Sequence, residues 1–199
     1  MPENRSLTNL LDKKEFILAS SSPRRAQILT REKVRFRIRI PKNYKEENIF
    51  SDPVTHVLEL SRRKAQSVTD EVEDGIILGA DTIVVLDEEI LGKPKNKDDA
   101  LFILKKLSGR MHQVYTGITL IDKSTGKMIS DYDVTKVKFN QLDEQKILDY
   151  ITTGEPMDKA GAYGIQGMGS FLVEHIEGSL DNVIGLPTEK LQEMLAQIM

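Results

Sequence analysis

Apolar residues along this chain recur at two spacings, and each spacing predicts a different element. Residues 16–19 (Phe-Ile-Leu-Ala) form a short apolar run that breaks at Ser20-Ser21-Ser22-Pro23. That is the pattern of a buried strand passing through a turn into a helix. Ser22 suits the helix cap, Pro23 the first helical position, and Ala26, Ile28 and Leu29 the inward face. Val34, Phe36, Ile38 and Ile40 alternate with Arg35, Arg37 and Arg39, which predicts a half-exposed strand over 34–40. Helical spacing returns from Pro53 to Val68 through Val54, Val57, Leu58, Ala65 and Val68.

The second half repeats the alternation of elements. Ile76 to Leu86 predicts a buried strand interrupted at Gly79-Ala80-Asp81-Thr82, and Asp87-Glu88-Glu89 a turn leading to Ile90–Pro94. Lys97 to Leu107 predicts a helix with Ala100, Leu101, Ile103, Leu104 and Leu107 inward. His112–Ile121 and Lys127–Phe139 read as strands paired around Ser124-Thr125-Gly126. Asp143–Thr153 is a helix with Gly154 suited to its C-terminal end. A glycine-rich stretch, residues 161–169, precedes a strand over 171–176, and a helix over 187–198 closes the chain. This order predicts an α/β fold: a mixed central sheet with flanking helices, in two lobes around a cleft. The whole of 1–199 reads as one domain, with 1–14 as a loosely held N-terminal extension.

Composition narrows the chemistry. Cys is absent, which removes disulfides, zinc-thiolate sites, iron–sulfur clusters and a cysteine nucleophile together. The three histidines, His56, His112 and His175, are too scattered for a His-x-x-x-His motif, so any metal is a hard cation held by carboxylates, phosphates and water. A net charge of −3 argues against a globally basic nucleic-acid binder, and stable nucleic-acid binding is not expected. That net value averages unlike parts: residues 1–66 hold 15 Lys+Arg against 8 Asp+Glu (+7), residues 67–199 hold 13 against 23 (−10). No apolar run approaches the length of a membrane span, and the start has no basic region followed by a continuous apolar one. The cytoplasm is the expected location.

Several segments could carry chemistry. Ser20, Ser21, Ser22, Arg24 and Arg25 place hydroxyls and guanidiniums at a helix N-terminus, either as an anion site or as a well-capped surface helix. Asp81 stands inside an apolar strand, where a lone carboxylate is costly unless it is paired, metal-bound or facing a polar cleft. A metal ligand or general base is one reading of it; a structural Asp capping a turn is the other. Lys64 on a helix reads as solvated, while Gly92-Lys93-Pro94 stiffens the backbone around a lysine, either for phosphate contact or as a plain surface turn. Glu46 and Glu47 could add a metal ligand or form a solvated charge run. Gln166, in the glycine-rich loop, can donate and accept, which suits a nucleobase edge. That loop matches neither a Walker A nor a dinucleotide-binding pattern.

Taken together, LASSSPRR (18–25), RKA (63–65), GADTIVVLD (79–87), GKP (92–94), HQVYTG (112–117), GEPMDKAGAYGIQG (154–167) and NVIGLP (182–187) closely resemble the Maf family of nucleoside triphosphate pyrophosphatases. The resemblance covers residues 16–198. It implies an α/β fold related to the inosine-triphosphate pyrophosphatases, a homodimer, and hydrolysis of a nucleoside triphosphate between its α and β phosphates. The implied cofactor is a divalent cation, Mg²⁺ with Mn²⁺ or Co²⁺ as alternatives. By the same resemblance Asp81 is the proton acceptor; the metal is expected on Asp81, with Glu46 as a second ligand read from the residues themselves. Arg24, Thr82 and Gln166 match positions tied to substrate choice; Ser20, Ser21, Ser22, Arg25, Lys64 and Lys93 match the phosphate site. The DKAGAYGIQG wording resembles the branch acting on dTTP and UTP. Action on 7-methyl-GTP or modified nucleotides, and a non-catalytic nucleotide- or nucleic-acid-binding regulator, are the alternatives. Two departures stand out: the loop after the second strand reads PKNYKEEN, and a usual Gly-Ser-Tyr becomes Gly178-Ser179-Leu180.

Overall fold

The computed structural model describes residues 6–11, 14–42 and 52–199. In chain order the first elements are α1 (Leu7–Leu10), β1 (Phe16–Ala19), α2 (Pro23–Arg31), β2 (Arg37–Arg39), α3 (Pro53–Gln66) and β3 (Ile76–Leu86). Then follow β4 (Glu89–Leu91), α4 (Lys97–Leu107), β5 (Met111–Asp122) and β6 (Met128–Phe139). The chain ends with α5 (Glu144–Thr152), β7 (Val173–Glu177), α6 (Leu180–Ile184) and α7 (Thr188–Ile198). Seven strands form one mixed sheet in the order β2-β1-β3-β5-β6-β7, with β4 also on β3. Helix starts are set locally: the side chains of Asp52, Asn96 and Asp143 accept from the amides of Thr55, Asp99 and Lys146. None of the helices among the described residues is long and apolar enough to cross a membrane.

The chain divides into two compact units. The first holds the described residues up to Asp81, Thr116–Asp133 and Gly185–Met199; the second holds Thr82–Tyr115 and Val134–Ile184. In the first, β1 runs parallel to β2 and to β3, with Ala19 beside both Arg39 and Gly79. Ile17, Ala19, Ala65, Val68, Ile77 and Ile121 form a core between strands and α3. In the second, Leu86 and Glu89 pair across the two-residue turn Asp87-Glu88, and β7 lies antiparallel to β6. Its core gathers Leu104 and Leu107 from α4, Ile147 and Ile151 from α5, and Val137 and Phe139 from β6.

Two local expectations are corrected. The run 76–86 is one unbroken strand, because Gly79 serves close packing there instead of a turn. The strand expected over 34–40 shrinks to Arg37–Arg39, a sheet edge where Ile38 and Ile40 are exposed. Within 1–14, the described residues include a short helix capped by Ser6, with Leu7 and Leu11 buried. Lys14 then ties the chain to Asp122 at 2.7 Å. Burial pushes the Asp122 carboxyl upward, but the bonds from Lys14 and Ser124 outweigh it and hold the group below the usual carboxylate range.

Candidate active site

The parallel register brings β1 and β3 side by side, so the serine turn leaves β1 level with Ala80 and Asp81. Ser20 is buried, and its Oγ accepts from the Ser22 amide at 3.2 Å and from Arg25 Nη1 at 3.0 Å. Arg25, also buried, donates through Nε to the Gly185 carbonyl at 2.8 Å. The guanidinium therefore braces the turn from inside. Ser22 stands at the cap of α2 with Pro23 next, but its hydroxyl makes no capping bond, contrary to expectation. Ser21 is exposed and Arg24 half-buried.

In the last turn of α3, Lys64 Nζ donates to Asp81 Oδ1 at 2.7 Å. Both side chains are buried, Lys64 6% and Asp81 5% exposed. Asp81 Oδ2 is buried with no hydrogen-bond partner. The pair forms because α3 lies directly on the sheet. A Cβ on Gly79 would come within 2.2 Å of the Ser61 carbonyl, and one on Gly117 within 2.4 Å of the Val57 carbonyl. Ser61 Oγ and Thr119 Oγ1, 2.8 Å apart, share a hydrogen bond beneath the helix. A buried ion pair is tolerated when each charge has its partner, and here one carboxylate oxygen is left over. A carboxylate held by a cation on one oxygen and unpaired at the other can accept a proton or bind a hard cation.

In the second unit, the glycine-rich segment folds as a chain of tight turns. Gly161 has φ +66°, and its amide donates to the Gly92 carbonyl at 3.0 Å, joining this segment to the loop that carries Lys93. A Cβ at Gly161 would fall 2.8 Å from Val84. Lys93 and Gln166 are exposed and Thr82 half-buried. Behind the segment, Tyr163 is packed edge-to-face on Phe139, and its hydroxyl shares a 2.8 Å hydrogen bond with His112 Nε2. Burial lowers His112 to about 4, so the ring is neutral near pH 7, and burial likewise pushes the Tyr163 hydroxyl up.

A family model described as Maf-like protein matches residues 15–198. This chain belongs to the Maf family. Among its relatives are proteins named dTTP/UTP pyrophosphatase from Clostridioides difficile (strain 630), 50% identical over 90% of this chain and 92% of theirs, and from Aquifex aeolicus (strain VF5), 47% identical over 92% and 94%. A nucleoside-triphosphatase / dITP/XTP pyrophosphatase from Mycobacterium abscessus overlays with a TM-score of 0.44 at 11% identity, covering 93% of this chain and 97% of its own.

Within the Maf chain, Ser20, Ser21, Ser22, Arg24, Arg25, Lys64 and Asp81 fall in the first unit. Thr82, Lys93 and Gln166 fall in the second. Glu46 and Glu47 lie outside the described residues. Helical position alone suggested a solvated Lys64, and its burial corrects that. Sequence reasoning missed Gly79 and Gly117 as seats for α3; a glycine inside each strand was the available signal. It also missed Tyr150 and Glu155, which hold the glycine-rich segment.

Proposed function

We propose that this Maf chain hydrolyses nucleoside triphosphates between the α and β phosphates, releasing the monophosphate and pyrophosphate, with dTTP and UTP preferred. Relatives at 46–50% identity carrying the name dTTP/UTP pyrophosphatase support the substrate choice. The observation that carries the chemistry is the buried Asp81, bonded to Lys64 through Oδ1 and without a partner at Oδ2.

Water attacks the α-phosphorus in line as the bond to the bridging oxygen breaks, and pyrophosphate leaves with that electron pair. Asp81 accepts the water proton at Oδ2 while Lys64 fixes the orientation of the carboxylate. The serine turn, Arg24, Arg25 and Lys64 offset phosphate charge, and Lys93, on the second unit, is matched to phosphate by the family resemblance alone. Thr82 and Gln166 read the imide edge that uracil and thymine share, and Arg24 contributes to substrate choice. The Maf family implies a divalent cation. Asp81 Oδ2 would serve either as the proton acceptor or as one oxygen ligand to it, and no group of three His, Cys, Asp or Glu among the described residues offers a complete cage. Mg²⁺ suits such a site, since it is often bound by one or two carboxylates together with substrate phosphates. Once bound, it supplies neutralisation of the triphosphate charge.

The test is pyrophosphate release from a panel of natural and modified triphosphates with Mg²⁺. The fastest release is expected from dTTP and UTP, abolished by a chelator. Release from no nucleotide overturns the activity, and a preference for 7-methyl-GTP overturns the pyrimidine assignment.

A further inference from the structure

Gln166 is exposed on a segment rich in glycine, yet a base-reading amide must be held still to discriminate. Its backbone is fixed on both sides by the same two side chains. Two residues before it, the Gly164 amide donates to Tyr150 Oη at 3.1 Å. Two residues after it, the Met168 amide donates to Glu155 Oε2 at 3.2 Å. Tyr150 Oη in turn donates to Glu155 Oε1 at 3.0 Å, which closes the arrangement.

The segment wraps this pair without room to spare. A Cβ on Gly169 would sit 2.7 Å from Tyr150 Oη and 2.3 Å from the Gly164 carbonyl. Gly167 takes φ +71° and faces Glu155 Oε2. Burial, together with the Glu155 charge, pushes the Tyr150 hydroxyl up, so it stays a phenol able to donate to Glu155 while accepting from Gly164. Behind the pair lies an open groove of about 640 Å³ lined by Tyr150, Thr153, Met168 and Phe171 among others. Met168 and Phe171 are 56% and 40% exposed. Packing from that side is therefore thin, and the hydrogen bonds carry the positioning.

We infer that Tyr150 and Glu155 are positioning residues for nucleobase selection: they hold the backbone on either side of Gln166 and so set the preference for the uracil-type imide edge. This rests on the base-reading role proposed for Gln166. Tyr150→Phe keeps the ring in the core and deletes the bonds to Gly164 and Glu155. Glu155→Ala deletes both carboxylate bonds, and Glu155→Gln retains a partial set.

Two measurements on the intact protein test this: hydrogen–deuterium exchange over 161–170, and kcat and KM for UTP, CTP and GTP. Tyr150→Phe and Glu155→Ala are each expected to speed exchange in this segment about tenfold, the scale of one lost hydrogen bond. The UTP preference should fall by a similar factor through a rise in KM larger than any fall in kcat. Glu155→Gln should recover part of both effects. Unchanged exchange, unchanged preference, or an equal loss of rate on every nucleotide would overturn the inference. Gln166→Ala separates the two layers. If it keeps wild-type preference, the role of Gln166 fails and the anchor's purpose fails with it. If it loses preference while Tyr150→Phe does not, only the anchor fails.

Discussion

In the first unit, the groups assigned to bond cleavage stand on the sheet. Lys64 and Asp81 are buried, and glycines at 79 and 117 let the backbone of α3 press onto β3 and β5. In the second unit, Gln166 projects from turns between α5 and β7, held by a tyrosine and a carboxylate beside an open groove. The first arrangement is enforced by close-packed backbone, where a methyl group has nowhere to go. The second is enforced by a few hydrogen bonds, each exchangeable with water at modest cost. If Asp81 carries the cleavage as proposed, the chemistry stands on close-packed ground. If Gln166 reads the base as proposed, recognition sits on a segment held by two side chains.

The comparison breaks hardest at Asp81. Asp81→Asn keeps an oxygen for Lys64 but replaces the open oxygen with an amide unable to take a proton. Turnover should fall about 10²–10⁴-fold, the range for removing a general base. Nucleotide affinity, measured by calorimetry, should change far less. Equal loss of affinity and turnover would make Asp81 an organiser of the phosphate site.

Gly79→Ala tests whether close packing is what places the pair. Its new Cβ would meet the Ser61 carbonyl and the Ala65 amide at 2.2 and 2.7 Å, so α3 must move. Stability should drop by about 3 kcal/mol, at the upper end for overpacking. Activity should fall with it, because Lys64 travels with the helix. A folded, fully active Gly79→Ala would show that the contact is dispensable.

The same contrast explains what was readable in the chain. Periodicity located α4, the β5–β6 pair and α7 to within a residue or two, because the helices bury one apolar face and the strand pair is bounded by a clear turn signal. It failed at 34–40, since alternation says which face is apolar but not whether anything covers it, and Ile38 at the edge is exposed. It also mistook Gly79 for a break. The reason for that glycine lies in α3, at Ser61 and Ala65, and no local window contains it. Lys64 was opaque for the same reason, being buried by the seating of its helix rather than by its neighbours in sequence. Asp81 was legible because a carboxylate in an apolar strand is conspicuous alone, whereas Tyr150 and Glu155 look like ordinary helix and turn residues until the segment folds around them.

The second unit carries its own pH sensitivity. His112 is lowered to about 4 by burial against an unfolded value of 6.5, so the unfolded chain binds more protons throughout that interval. Its contribution is fully present above pH 6.5 and is lost as pH falls toward 4. By pH 5 the loss is about 2 kcal/mol from this group. Denaturant titrations at pH 7 and pH 5 should show that difference in wild type and its absence in His112→Gln, which keeps a partner for Tyr163. An equal acid loss in both proteins would assign the effect elsewhere.

The smallest expected effect lies at the turn between β3 and β4, which leads to Lys93. Asp87 and Glu88 have φ of +51° and +66°, the left-handed region at both positions of a two-residue hairpin. Glycine is the residue suited to the second of these, and Asp-Gly is among the preferred pairs for such a turn. Glu88 is exposed, and Asp87, which pairs with Arg110, is left in place. Glu88→Gly should therefore relieve strain and stabilise the protein by about 1 kcal/mol, offset in part by the greater freedom of glycine in the unfolded chain. Thermal denaturation reads the gain, and UTP turnover should be unaffected, since the hairpin register that delivers Lys93 does not depend on the Glu88 side chain. A gain in stability accompanied by a rise in KM would instead mean that the strained turn itself tunes the phosphate contact, and that the second unit is retuned at two places rather than one.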